Sequence, residues 1–455
     1  MSPGSKLAIA LACLGSAPLA AARPWIDWTE PSVGVSIAAD PDNNAYTVNS
    51  TMAPGGDLTL TKHAPDGQIL WTVSHDQTDN TKWEAATWVA TDHAGDVIVT
   101  GSLMSGFSNP VNAASIVMKF DANGALLWRS VFESSFDGSS TRKCVIDDLN
   151  NIYVLGLGVG PNGLVTRVKK FAPDGSALWS YFDSDGIGAP VNLKLTPDNQ
   201  LLITGRGITG AINGYARITL DGNEVWSLAG VPSFTVGDAA GDEAGNTYIV
   251  HHSAAGNGPS VLKKLDPLGQ PIWETTHPFA GSRVEATPEG DAIVAGFPNT
   301  GTAGAAFIKV SQDGDLLWEQ LDADGPLLLL LHAYLLIDAQ GDAYLAAGTL
   351  FDMAVCRVSA DGSSTWVQTT PGGYARGMAL SADQHSMFLV GGNTVRIGIR
   401  CPGDANLDDA IDVNDLNTVL ASWGTGGPAG DLNHSGTVDV NDLNLVLANW
   451  NNNCN

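Results

Sequence analysis

Two patterns of apolar and polar positions alternate along most of this 455-residue chain. In one, an alternating apolar run meets a turn residue and a glycine, and a tryptophan follows the glycine by four positions. It occurs as Gly67/Trp71, Gly124/Trp128, Gly175/Trp179, Gly222/Trp226, Gly269/Trp273, Gly314/Trp318 and Gly362/Trp366. The residues before these glycines are Asp66, Asn123, Asp174, Asp221, Leu268, Asp313 and Asp361. An Asp-Gly or Asn-Gly step between alternating runs predicts a β-hairpin. In the other pattern an apolar strand, an Asp/Asn/Gly turn and a second strand ending near glycine follow one another, as in residues 88–101 and 334–348. Four strand-sized segments recur with a period of 45 to 57 residues, which predicts an all-β propeller of radially arranged sheets.

The two hairpins differ in number, and the difference sets the blade count. The first begins eight times, near residues 36, 88, 144, 191, 236, 283, 334 and 377, whereas the tryptophan hairpin is complete seven times. A strand at 394–399 has no partner after it, and Pro24-Trp-Ile-Asp-Trp28 is a tryptophan strand with no hairpin before it. If these orphans pair, the ring closes with eight blades and few free edges. Seven blades plus a stray hairpin is the alternative.

The tryptophans read as structural: a large ring between neighbouring blades buries apolar area, and its N–H can reach a backbone carbonyl. The Asp-x-Gly-type turn followed by tryptophan resembles the tryptophan-docking motif of quinoprotein-like propellers. The longer pattern running into the next hairpin resembles bacterial SBBP-type propeller repeats. The resemblance covers residues 24–400 and implies the fold rather than an activity. It differs from the Asp-box of sialidases, where the aromatic follows glycine by three.

Composition narrows the setting. A formal charge of −26 argues against nucleic acid and anionic membrane as partners. Residues 1–22 have a basic start at Lys6, a short apolar core at Leu7–Leu14 and small residues to Ala22, so an exported chain cleaved near Ala22 is expected. The apolar core is too short to span a bilayer. The leucine run at 327–331 is interrupted by His332 and reads as part of a buried strand. Cys144 and Cys356 fall on distant blades and are expected to be buried thiols.

Strings that look like chemistry mostly are not. Gly158-x-Gly160-x-x-Gly163 runs into a strand, not the helix a dinucleotide site needs. His251 and His252 are adjacent on a strand and face opposite ways. The vicinal cysteines of many quinoprotein dehydrogenases are lacking. The candidate ligand face is the set of loops leading from each tryptophan strand to the next blade. It carries His75, Asp76, Asp79, Lys82, Trp83, Glu84, Glu133, Asp137, Arg142, Lys143, Asp183, Asp185, Asp322, Asp324, Tyr374 and Arg376.

Residues 401–455 hold eight Asp and no Lys or Arg, and they repeat at a period of 27 residues: 403–423 and 430–450 are identical at 13 of 21 positions. Oxygen-bearing side chains stand at positions 1, 3, 5, 9 and 12 of each loop. They are Asp404, Asn406, Asp408, Asp412 and Asp415, then Asp431, Asn433, Ser435, Asp439 and Asp442, with the carbonyls of Ala410 and Thr437 at position 7. That spacing wraps a twelve-residue loop around a hard cation, and calcium is expected, two ions in all. Leu416, Val419, Leu420 and Trp423, and their repeats Leu443, Val446, Leu447 and Trp450, predict helices with one apolar face each. Cys401 and Cys454 bracket the repeats and are expected to form a disulfide.

This tail resembles a type I dockerin domain. The resemblance implies attachment to a cohesin partner, with Val413, Asn414, Val440 and Asn441 at the positions that face it. Asp409 replaces the usual glycine of the first loop, and the family's Ser-Thr pair is not present. The whole chain then reads as a signal peptide (1–22), a propeller (23–400) and a dockerin-like calcium module (401–455). The expected function is an exported, non-catalytic binding or structural component of a polysaccharide-degrading assembly. The alternative is a carbohydrate hydrolase or lyase, acting on O-glycosyl bonds, with its site on the loop face.

Overall fold

The structure is a computed structural model that describes residues 24–451 except 51–56, 76–82, 105–113, 134–139, 161–162, 184–185, 207–211, 233–236, 253–258, 299–303, 323–332, 350, 401–402, 407, 409, 426–429 and 433–436. The expected signal peptide, the leucine run at 327–331, Asp409 and both cysteines of the expected disulfide lie outside these residues.

Eight four-stranded antiparallel sheets make eight blades. Blade 1 consists of Ser36–Ala39, Ala45–Ser50, Leu58–His63 and Ile69–His75. Blades 2 to 7 span 83–133, 141–182, 189–232, 238–277, 279–322 and 334–371. Blade 8 takes three strands from 377–398 and its fourth, Trp25–Glu30, from the other end of the chain. The register runs from Trp25 opposite Gly398 to Glu30 opposite Thr394. The orphan strands therefore close an eight-bladed ring, and the seven-bladed alternative falls.

The glycine–tryptophan motif is a contact between blades. All seven motif glycines have φ between +74° and +94°, as the hairpin turn demands of a residue without a Cβ. Each also lies under the indole of the preceding blade: a Cβ on Gly67 would sit 2.7 Å from the Trp28 ring, and one on Gly175 would sit 2.6 Å from Trp128. The indole then reaches across. Trp28 Nε1 donates to the Pro65 carbonyl at 2.9 Å, Trp128 to Pro173 at 2.9 Å, and Trp273 to Gln312 at 2.8 Å. Trp226 docks over Gly269 in the same way, yet its buried N–H meets no acceptor among the described residues. One seam breaks the series. Blade 8 is closed by two chain ends instead of a hairpin, so Trp366 has no glycine of this kind to dock on.

A second ring went unread in the sequence. The third strand of every blade carries a basic residue three or more quarters buried: Lys62, Lys119, Lys170, Arg217, Lys264, Lys309, Arg357 and Arg396. Most meet a carboxylate of their own blade's first turn, as in Lys119 to Asp92 at 2.8 Å. Several also donate to the carbonyl that receives the tryptophan, as in Lys170 to Leu220 at 3.0 Å. Apart from Lys170, which donates to a carbonyl, these buried charges are paired with a carboxylate, which is the condition under which burial is tolerable.

The chain leaves the propeller at the odd seam. Arg400, 2% exposed, pairs with Asp338 and Asp342 of blade 7. Its backbone N–H and that of Ile399 both donate to the His385 carbonyl of blade 8. The His385 ring Nε2 lies 2.8 Å from the Asp404 carbonyl, which ties the first tail loop to the ring. Beyond it come two helices, α1 (Val413–Ala421) and α2 (Val440–Ala448). Asp412 and Asp439 cap them, each in a reciprocal capping box with the aspartate three residues on. The expected apolar faces are only partly buried. Val419 and Val446 sit in a small core with Ala405, Ile411 and Val438, flanked by Leu416 and Leu443. Leu420, Trp423, Leu447 and Trp450 are 37 to 52% exposed. Nine-residue helices are too short to cover both ends of such a stripe, and loop residues fill the core in their place.

Candidate functional site: a channel through the ring

The innermost strands of the blades enclose a cavity of about 960 Å³. Its side chains follow one register. Counting four residues back from the turn that ends each inner strand gives Ser36, Trp88, Lys143, Asn192, Asp238, Arg283, Tyr334 and Gly377. They pair with Val48, Thr100, Leu155, Thr204, Val250, Ala295, Ala346 and Val390. The six from blades 2 to 7 line the cavity. In blades 2, 3, 4 and 6 a β-bulge directly precedes that position. It adds Thr87, Arg142, Val191 and Ser282 to the wall. A bulge re-aims side chains locally, which is why such irregularities gather beside functional sites.

The polar groups form a chain around the wall. Lys143 Nζ lies 4.9 Å above the Trp88 ring and donates to Asn192 Oδ1 at 2.9 Å. Asn192 Nδ2 donates to Asp238 Oδ1 at 3.0 Å. Lys194 reaches Asp238 at 2.9 Å, Glu285 at 2.7 Å and the Val284 carbonyl at 2.9 Å. Arg283 Nε donates to the Ala333 carbonyl at 2.6 Å, and the Tyr334 hydroxyl to the Arg376 carbonyl. The Arg376 guanidinium lies 5.3 Å from the Tyr374 ring centre.

Electrostatics divides these groups in two. Burial would raise Asp238 and lower Lys194, but their pairing outweighs it, so the carboxyl stays below its usual range and the ammonium above. Glu285 is raised, by burial first and by the nearby Asp238 charge. Lys143 has no carboxylate of its own: burial and then the Lys194 charge push it down to about 8. Among the described residues, Arg142, Lys143, Lys194, Arg206, Arg283 and Arg376 line the wall against only Asp238 and Glu285. Both carboxylates are engaged by one ammonium, Lys194. In a chain with 48 acidic and 22 basic residues, six cations against two acids is an inversion of sign.

The residues expected on the loop face separate accordingly. Arg142, Lys143, Tyr374 and Arg376 line the channel. The Asp183 carboxylate instead accepts the Ile187 N–H at 2.6 Å within its own turn. Glu84 is buried, and His75 lies 3.4 Å from Arg129. Trp83, Glu133 and Asp322 end strands, whereas Asp76, Asp79, Lys82, Asp137, Asp185 and Asp324 lie outside the described residues. Gly160 and Gly163 pair across two adjacent antiparallel strands, so that glycine string runs from strand to strand and not into a helix. Trp88, Asn192, Lys194, Asp238, Arg283, Glu285 and Tyr334 were missed. Their signal was polar residues on inner strands, four or two positions before a turn pattern that recurs along the chain.

In the tail, the first loop folds its oxygens back on its own amides. Asp404 Oδ1 accepts Asp408 N at 3.1 Å, Asn406 Oδ1 accepts the same N–H at 3.2 Å, and Asp408 Oδ1 accepts Ala410 N at 3.0 Å. Asp415 Oδ1 accepts Ala405 N at 2.7 Å and Asn406 N at 3.1 Å. Asp404, Asp415 and Asp442 are fully buried. In the second loop Asp431, Thr437 and Asp439 are described, whereas Asn433 and Ser435 are not. Among the described residues no three His, Cys, Asp or Glu are grouped as a metal cage.

The architecture defines the class, an eight-bladed β-propeller with a short helical tail. No protein-family profile matches the chain, and no curated protein matches it. It is similar to a solved protein of unknown function from Bacteroides caccae, at 12% identity and a TM-score of 0.34, over 61% of this chain and 93% of that one. It is also similar to the dihydro-heme d1 dehydrogenase NirN in complex with DHE, at 15% identity and a TM-score of 0.49, over 75% of this chain and 67% of the other. A eukaryotic initiation factor is similar at 11% identity and a TM-score of 0.42, over 74% of this chain and 78% of that one. Among the described residues no helix is long and apolar enough to cross a membrane.

Proposed function

We propose that this chain is an exported attachment protein: its tail binds two calcium ions and docks on a cohesin-like partner, displaying a non-catalytic propeller that binds a ligand in its channel. The observation that carries the reading is the duplicated loop–helix unit, with oxygen donors at matching positions and the same capping box on α1 and α2. The residues present fit a hard dication. Asp404, Asp415 and Asp442 are buried in a tail without a single Lys or Arg, and buried carboxylates need compensating positive charge. Asp404, Asn406, Asp408, Ala410, Asp412 and Asp415 would hold one ion, and Asp431, Asn433, Ser435, Thr437, Asp439 and Asp442 the other. The ion supplies the charge that lets the loop and its helix fold as one unit.

The partner surface has its own support. Val413 and Val440 are 52 and 53% exposed, and Leu420 and Leu447 are 50 and 52% exposed, at equivalent places on the two helices. Paired apolar side chains on a short helix suit docking in a partner's groove. Together with Asn414 and Asn441 they form the proposed cohesin contact. Immobilised cohesin modules should capture the full chain with calcium and release it with chelator. Val413→Asp combined with Val440→Asp should abolish capture while calcium binding persists. Capture unaffected by chelator counts against the reading.

One observation favours the alternative, a glycoside hydrolase. Asp238 and Glu285 converge on Lys194 with acidities displaced in opposite directions, a feature of acid/base pairs. Glu285→Gln would then eliminate depolymerisation of a polysaccharide substrate, whereas a binding module has no such activity to lose.

A further inference from the structure

The channel's chemistry deepens the propeller half of the proposal above, and rests on it in taking the propeller as the ligand-binding part. We infer that the central channel binds an anionic saccharide, one bearing carboxylate or sulfate groups, through Arg142, Lys143, Arg283 and Arg376. Three independent features of the wall converge on this.

The first is an excess of positive charge: Asp238 feels the Arg283 charge as well as that of Lys194, yet six cations of the described wall face two carboxylates. None of these four side chains takes part in an ion pair among the described residues, because the only two carboxylates of the wall are engaged by Lys194. A predominantly cationic cavity with low-dielectric walls focuses its potential and concentrates ligands of opposite sign. The net charge of −26 on the whole chain would repel an anion elsewhere, so the channel is set apart as the place to hold it.

The second is placement. Lys143 and Arg283 occupy the same register position three blades apart, each just after a β-bulge, and Arg142 is itself a bulge residue. Their aim is therefore set by the sheet rather than by flexible loops. Arg283 is anchored through Nε to the Ala333 carbonyl and through one terminal nitrogen to Ser282 O at 2.7 Å. Guanidinium groups held this way suit planar oxyanions such as carboxylate and sulfate.

The third is the mixture of surfaces. Trp88, Tyr334 and Tyr374 stand beside Lys143, Arg283 and Arg376. A wall of aromatic faces with a few placed charges matches a ligand that has both apolar faces and anionic substituents, as a uronic acid or sulfated sugar ring has. A cavity of about 960 Å³ admits a short oligosaccharide and not merely a single small ion.

Calorimetry on the full chain tests this with three probes of similar length: an oligogalacturonate, a sulfated galacto-oligosaccharide and a neutral galacto-oligosaccharide. Saturable binding of either acidic probe, weakening as salt is raised and absent for the neutral one, is expected. The acidic probe that binds identifies carboxylate or sulfate as the recognised group. Arg142→Ala and Arg376→Ala should each weaken it about tenfold with unchanged melting temperature, and Arg142→Lys should restore part of the loss. Failure of both acidic probes, equal binding of the neutral one, or undiminished binding in both Ala variants overturns the inference. Calcium-dependent capture on cohesin, measured on the same samples, is independent of the channel and distinguishes its failure from failure of the attachment reading.

Discussion

At the scale of single residues, the motif glycines do two jobs that no other residue can do together. Gly175 has φ +86°, and a Cβ there would lie 2.6 Å from Trp128. Gly95 has nearly the same φ, +80°, with nothing within 4 Å of the added atom. Gly95→Ala should therefore cost about 1 kcal/mol, the left-handed backbone penalty, and Gly175→Ala about 3 kcal/mol, because overpacking adds to it. Urea unfolding of the two variants measures the difference, and equal losses would deny the tryptophan contact. The sequence shows both the glycine and the tryptophan. It does not show that they belong to different blades, because the Trp128 indole skips its own turn and docks on Gly175 one repeat later.

At the scale of elements, hairpins were legible because their signal is local: a turn residue with glycine or asparagine between alternating runs. The channel was not, because its wall takes a few residues from each of several inner strands lying roughly fifty positions apart. Trp88, Asn192 and Asp238 look like unremarkable strand residues until the ring brings them side by side. The seams between elements carry two predictions. Burial already raises Asp338, and Arg400 is the cation that opposes it. Arg400→Met leaves that carboxylate buried without its partner and should cost about 3 kcal/mol. Arg400→Met with Asp338→Asn should recover part of this in a denaturant titration, and a double variant as unstable as the single one would refute the pairing. The other seam holds His63, fully buried and stacked on Trp28 at 5.8 Å, where burial lowers it to about 4. The unfolded chain therefore binds the extra proton between about pH 6.5 and 4, so stability rises with pH across that window. The contribution, of order 3 kcal/mol, is intact above pH 6.5 and lost as pH falls towards 4. His63→Leu should flatten that part of the pH–stability curve, and an unchanged curve would place the titration elsewhere.

At the scale of the whole molecule, the first tryptophan strand and the last inner hairpins meet to close the ring, an arrangement the mismatch of eight hairpins against seven made visible. Removing residues 24–30 should lower the melting temperature and promote association, since the bared edge of blade 8 is a template for other strands. A deletion variant that melts like the intact chain would contradict closure. The two capped helices of the tail were legible for a different reason: a 27-residue repeat keeps its pattern together in sequence, whereas the calcium chemistry read from its oxygen spacing is a proposal. The calcium-dependent attachment proposed for it is tested most directly by calorimetric titration of the full chain with calcium. Two ions per chain should bind, the tighter in the first loop, which has four carboxylates among its donors against three in the second. Asp404→Ala should remove the tighter event and Asp431→Ala the weaker, whereas no calcium binding, or two ions retained in both variants, would contradict it.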